Sequence, residues 1–302
     1  MRQQRIAGAL ALLALFLSGC GSIEMHRDQP AYSVGVVLKA GNSPYWRDMA
    51  SGIEQAAADH GIDMTLLYPK GEQEEAEQER MISDVLDSGV DLLMVAPCNS
   101  YDTKWFIQKA EKQGTRVLTV DTRAMDAELP YIGSDNTLFG KLAADYFNEQ
   151  LEPGDSILLL YGPENQSSII ERDQTLREYL NPKITIQGVR HTELSEQNGY
   201  AAVHELEEPV DGIYCQNVVL GRGAVEALME KGWESKVISV DTRSDAVQIL
   251  KDGAMDAMIA QDGFEIGYQS VEIALETLQS GKEPKDVLFD GELLTSQSIG
   301  GD

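Results

Sequence analysis

Val117-Leu118-Thr119-Val120-Asp121-Thr122-Arg123 returns in the second half of the chain as Val237-Ile238-Ser239-Val240-Asp241-Thr242-Arg243. Each copy is a short apolar run that stops at Asp-Thr-Arg. An unbroken apolar run of this length suits a strand buried on both faces, the mark of a parallel sheet covered by helices. In open parallel sheets ligands sit beyond the carboxyl ends of the strands. Asp121 and Asp241 are therefore expected at two ligand-binding edges. Each also fits a cap on a following helix, and the repetition favours the first reading.

Working outward, the same pattern fills the chain. Strand-like runs at 33–38, 64–68, 92–96 and 117–120 alternate with helical stretches at 46–60, 72–88 and 103–113. The alternation then restarts, with strands at 156–161, 184–189, 212–215 and 237–240 and helices at 174–180, 197–206, 223–231 and 245–251. Strands alternating with amphipathic helices predict an α/β fold in two similar halves.

The first residues read differently. Arg2 and Arg5 precede an apolar run from Ile6 to Leu17 and then Ser18-Gly19-Cys20. A charged start, a short apolar run and small residues at a cleavage site read as an export signal. The run is shorter than the roughly 20 apolar residues of a spanning helix. Cys20 resembles the lipidated cysteine of a bacterial lipobox, which gives a signal at 1–19 and a lipidated cysteine with a polar tether at 20–31. An ordinary secretory signal with a chance cysteine is the alternative.

Composition limits the function classes. With 50 acidic against 24 basic residues the formal charge is −26, which repels nucleic acid and anionic lipid. Cys98 and Cys215, each ending an apolar run, are too few for a disulfide scaffold and suit small buried hydrophobes. The four histidines are isolated, and no Gly-x-Ser-x-Gly, His-Glu-x-x-His or Gly-x-x-x-x-Gly-Lys segment occurs. No metal or cofactor is expected. Asp121 and Asp241 facing each other as a glycosidase pair is the remaining enzyme reading, and nothing else in the sequence supports it.

Further motifs appear in order: Asn42-Ser43-Pro44-Tyr45-Trp46 after the first strand, Ile132-Gly133-Ser134-Asp135-Asn136 before a helix, Glu171-Arg172, Gln216-Asn217 and Ile259-Ala260-Gln261. With Asp121 and Asp241 this ordered set resembles the substrate-binding lipoproteins of sugar ABC transporters, in the periplasmic-binding-protein type I fold. It is most similar to the ribose- and galactose-binding branch, from about Tyr32 to the C-terminus. The resemblance implies two Rossmann-like lobes with parallel sheets joined by a three-segment hinge near 134–136, 261–263 and 289–292. The N-terminal lobe would be 32–134 plus 263–289, including a long helix at 264–280. The C-terminal lobe would be 135–262 plus 290–302.

By position the resemblance assigns Asp121, Arg172, Asn217, Asp241 and Gln261 to polar ligand contacts and Tyr45 and Trp46 to the paired aromatics, with Ser43 where the ribose branch has an asparagine. Carboxylates, carboxamides and guanidinium groups pair with neighbouring hydroxyls of a sugar, and aromatic rings cover its C–H faces. Three positions depart from the branch. Thr122 stands in place of an arginine, with Arg123 one residue later expected as the ninth ligand contact; Leu194 replaces an aromatic residue; and Val218 follows Asn217 where an aspartate is usual. Arg123, Arg172, Arg222 and Arg243 together would favour an acidic or phosphorylated ligand, unless they only pair with surface carboxylates. The implied activity is that of a monomer, held at the membrane by its lipid alone, which binds a monosaccharide or other polar solute. Its partner would be an ABC permease or a membrane sensor, and it would have no nucleic-acid partner.

Overall fold

The computed structural model describes residues 32–41 and 43–299. The export signal, Cys20 and the tether lie outside the described residues. The chain begins β1 (Ser33–Val37), α1 (Pro44–His60), β2 (Asp63–Leu67), α2 (Glu75–Asp87), β3 (Leu92–Val95), α3 (Lys104–Gln113), β4 (Arg116–Val120) and β5 (Tyr131–Ser134). It continues α4 (Asn136–Gln150), β6 (Ser156–Tyr161), α5 (Ser167–Tyr179), β7 (Thr185–His191), α6 (Glu196–His204), β8 (Gly212–Cys215), α7 (Val218–Lys231), β9 (Lys236–Thr242), α8 (Arg243–Lys251) and β10 (Ala257–Gln261). It ends α9 (Gly263–Ser280), β11 (Val287–Phe289) and β12 (Glu292–Thr295).

These elements build two six-stranded sheets, in the orders β11-β5-β4-β3-β1-β2 and β12-β10-β9-β8-β6-β7. Every pairing in the first is parallel, and in the second only β10–β12 is antiparallel. The α/β class with two mainly parallel sheets, expected from the alternation, is the architecture observed. Central strands β3 and β8 are buried at every position, whereas edge strands β2 and β7 are mostly half-buried or exposed, as helix cover on both faces requires. The chain passes from one sheet to the other between β5 and α4, returns between β10 and α9, and passes again between β11 and β12.

Helix α9 packs on α1 at glycine contacts. A Cβ on Gly52 would lie 2.1 Å from the Phe264 carbonyl oxygen, and one on Gly267 would lie 2.2 Å from that of Met49. No side chain fits there, so the two helices touch backbone to backbone over Met49, Ile53, Ile266 and Val271, all fully buried. The same device joins α6 to α7, where a Cβ on Gly223 would lie 1.9 Å from the Glu196 carbonyl oxygen.

Three helices start elsewhere than the periodicity suggests. Helix α7 starts at Val218, not 223, capped by Asn217, whose side chain accepts from the Leu220 amide; Gly221 and Gly223 disguise a helix whose glycines serve packing. Helix α5 starts at Ser167, not 174, and Gln166 before it makes no side-chain cap bond. The Ser167 amide instead donates to Ser100 Oγ at 3.0 Å, a tertiary contact that sequence cannot signal. Helix α2 starts at Glu75, not 72, which leaves residues 70–74 as a loop. Cys98 and Cys215 are free and buried, and burial pushes the Cys98 thiol up to about 12.

Candidate functional site

The carboxyl ends of both sheets face one another across a cleft that encloses about 480 Å³. Eight of the nine residues expected at the ligand line it: Ser43, Tyr45, Trp46, Asp121, Arg172, Asn217, Asp241 and Gln261. Local structure explains each position. Ser43 opens α1 as its cap, accepting from the Trp46 amide at 3.3 Å, and Pro44 follows as the first helical residue. That start places Tyr45 and Trp46 against each other edge to face, 5.2 Å between ring centres.

Asp121 directly follows β4 and is the only non-glycine among the described residues with positive φ, at 61°. This left-handed conformation, which Asp tolerates better than most, turns its carboxylate back into the cleft. There Oδ1 accepts from Tyr45 Oη at 2.7 Å and Oδ2 accepts from Thr122 Oγ1 at 2.7 Å. Burial pushes the Tyr45 hydroxyl well above its ordinary pKa, and the Asp121 charge adds to that, so Tyr45 stays a donor.

The second lobe of the cleft is built from other strand ends. Asp241 lies within β9, is 4 % exposed, and accepts from the Thr242 amide at 2.7 Å. Arg172 enters from α5, donating through Nε to Asn136 Oδ1 at 2.8 Å and lying 5.0 Å over the Phe139 ring. Gln261 ends β10 and accepts through Oε1 from Ser134 Oγ at 3.0 Å, beside two of the crossings between sheets. Leu194, Val219 and Val240 supply apolar wall.

Arg123 is placed away from the cleft. Its guanidinium bonds Glu171 at 3.1 Å and Asp286 at 2.5 Å and lies 4.0 Å over the Tyr131 ring, in a separate depression on the far side of β4. Arg222 is half-exposed and lies 3.8 Å from Glu196, and the Arg243 side chain lies outside the described residues. Among the described side chains of the arginine cluster suggested by sequence, Arg172 is the one that lines the cavity.

Two charged residues absent from the expected set stand at its centre. Lys39, two residues beyond β1, is 2 % exposed, with its ammonium 3.3 Å from Asp121 and 3.7 Å from Glu72. Burial pulls its pKa down, but the Asp121 and Glu72 charges outweigh burial and hold it above the ordinary 10.5, so Lys39 is a cation. Glu72 also accepts from Trp46 Nε1 at 2.9 Å, fixing the indole. Both follow first-sheet strands at their carboxyl ends, and that topological rule was the signal that could have found them. Among the described side chains around the cavity, Lys39, Lys70 and Arg172 stand against Glu72, Glu74, Asp121, Glu193 and Asp241, a carboxylate excess of two. Among the described residues no cluster of His, Cys, Asp or Glu could hold a metal ion.

The family profile described as a periplasmic binding protein domain matches residues 34–283. The ribose import binding protein of Bacillus subtilis is 23 % identical over 296 residues, covering 94 % of this chain and 96 % of its own. In fold, the Caulobacter myo-inositol binding protein bound to myo-inositol superimposes with a TM-score of 0.82 at 23 % identity, over 89 % of this chain and 95 % of that one. A solute binding protein of Actinobacillus succinogenes with bound D-allose gives 0.80 at 21 % identity, over 90 % and 100 %. These relatives bind solutes and are not enzymes. The two facing sheets, the cleft between them and a profile match across most of the described residues place this chain in the periplasmic binding protein domain family, as a two-lobed solute-binding protein.

Proposed function

We propose that this chain is an extracytoplasmic receptor that captures a monosaccharide, pentose or hexose, between two lobes and delivers it to an ABC permease. The observation that carries the reading is the cleft itself. Two carboxylates from echoed strands, a guanidinium, two carboxamides and an edge-to-face aromatic pair converge on a cavity whose size lies in the usual range for small ligands. Such groups match hydroxyls in pairs and C–H faces by contact. Curated relatives named for ribose, allose and fructose support a sugar.

The excess of carboxylates among the described side chains around the cavity supports a neutral sugar over an acidic or phosphorylated one, since an anion would enter against like charge. The lobes that close on it are 32–134 with 263–289 and 135–262 with 290–302, and ligand favours the closed form because it touches both. One chain completes the cleft, which supports a monomer. No described helix is long and apolar enough to cross a membrane; a lipid on Cys20 would tether the receptor at the cell surface or in the periplasm.

A thermal-shift panel of D-ribose, D-allose, D-fructose, myo-inositol, D-glucuronate and ribose 5-phosphate tests the reading. At about 100 times its dissociation constant a ligand adds about 2.7 kcal/mol, enough to move the melting transition visibly. One or more neutral compounds should shift it. A shift only with the two acidic compounds would overturn the neutral-sugar assignment, and no shift with any would overturn sugar capture.

A further inference from the structure

The turn before α5 belongs with the second sheet, yet its polar groups bond the first. Asn165 Nδ2 donates to Glu75 Oε1 at 2.7 Å, and the Asn165 carbonyl accepts from the Ser100 amide at 2.9 Å. Gln166 Oε1 accepts from Lys39 Nζ at 3.1 Å. The Ser167 amide donates to Ser100 Oγ, and Ser167 Oγ accepts from the Arg123 amide at 2.8 Å. Ser100, Gln166 and Ser167 are fully buried. A buried polar seam therefore runs behind the cleft, and Asn165, Gln166, Ser100 and Glu75 are not part of the cavity wall.

Its distance from the crossings gives it meaning. The crossings lie at the β5–β11 edge of the first sheet, while Lys39 follows β1 and Glu75 follows β2, three and four strands away. At about 4.8 Å per strand these groups sit about 14 and 19 Å from the hinge. A rigid-body rotation of about 15° would part the outer pair by about 5 Å, which breaks every bond at that end. Arg123, only one strand from β5, would keep more of its contact.

We propose that this seam is a clasp that holds the lobes closed independently of ligand, with Lys39 as the positioning residue that joins it to the cleft. The proposal rests on the two-lobe capture reading. Lys39 is held by Asp121 and Glu72 on the ligand side and spends a third proton on Gln166 across the lobes. A handful of hydrogen bonds, each worth about 1 kcal/mol net, favours closure without locking it. Ligand bound in such a cleft leaves slowly, because the clasp must open before release.

The test uses residues 21–302, which contain the whole described fold, with Gln166→Ala, which removes the acceptor, and Gln166→Glu, which keeps it. Gln166 is not itself part of the cavity wall and reaches it only through Lys39. With D-ribose or D-allose as probe, stopped-flow tryptophan fluorescence should show release from Gln166→Ala accelerated about tenfold, the equivalent of about 1.4 kcal/mol, at an association rate within about twofold of the parent. Gln166→Glu should restore slow release, a rescue that a merely structural residue would not show. Small-angle scattering without sugar should give Gln166→Ala a larger radius of gyration than the parent. Equal release rates for parent and Gln166→Ala would overturn the clasp. If the parent binds neither sugar, the capture reading loses those two ligands and the ligand-free radii decide the clasp by themselves, equal radii overturning it.

Discussion

Asp121→Asn isolates the electrostatics at the centre of the cleft, because asparagine keeps the shape and an acceptor for Tyr45 while removing the charge that faces Lys39. At 3.3 Å, two unit charges in an effective dielectric of about 20 attract by about 5 kcal/mol. Glu72, at 3.7 Å, still offsets part of the ammonium's buried charge. Removing one partner of a buried pair costs about 3–5 kcal/mol, so with Glu72 remaining the lower end, about 3 kcal/mol, is expected. For a protein of this size each kcal/mol moves the melting temperature about 2–4 °C, which gives a fall of about 6–12 °C. Calorimetry without ligand measures it. The decisive companion is Lys39→Met with Asp121→Asn: once both charges are gone, most of the loss should return, with a coupling of about 2 kcal/mol or more. Strictly additive losses, or a single-variant shift under about 2 °C, would refute a charge pair at this position.

Other substitutions separate the cleft from its surroundings. Asp241→Ala should weaken sugar binding about thirtyfold in calorimetric titration, since about 2 kcal/mol follows when buried hydroxyls lose a charged acceptor. Arg123→Ala should leave sugar affinity within about twofold while lowering the melting temperature, because its partners are Glu171 and Asp286 rather than the cavity. Because the Lys39 pKa is raised in the fold, its contribution to stability is complete below 10.5 and is lost as pH climbs through the higher folded value. The melting temperature of the parent should therefore fall faster than that of Lys39→Met above that pH and run parallel to it between about 6 and 9. Cys20→Ala should move the protein from the membrane fraction to the soluble one; retention in the membrane fraction would exclude lipid on Cys20 as the anchor.

The strands were legible because burial on both faces leaves a mark in sequence: Leu92–Val95 and Gly212–Cys215 are unbroken apolar runs that lie at the middle of their sheets. Helix starts were less legible where they depend on distant groups. Val218 begins a helix that Gly221 and Gly223 conceal; a Cβ on Gly223 would collide with the α6 backbone at Glu196, and one on Gly221 would lie 2.5 Å from Met255. The crossings between sheets leave no periodic signal, since β11 and β12 are short strands of three and four residues. They entered through resemblance alone.

The cleft shows where local reading stops. Asp121 and Asp241 announce themselves because a strand ending in a carboxylate is a local pattern. Lys39 does not, because a lysine after an apolar run is ordinarily a solvated strand end, and a buried lysine is rare unless paired. Its role is set by Asp121 on β4's end, Glu72 in the β2–α2 loop and Gln166 before α5, three groups brought together only by the fold. The consequence reaches ligand class. Counted along the sequence, arginines near the motifs pointed to an anion; in space Arg123 and Arg222 sit by carboxylates outside the cavity, and the one buried lysine is already matched by two carboxylates. Among the described side chains, what an incoming ligand meets is a surplus of carboxylates over Lys39, Lys70 and Arg172, which suits a molecule rich in hydroxyl donors and without charge of its own.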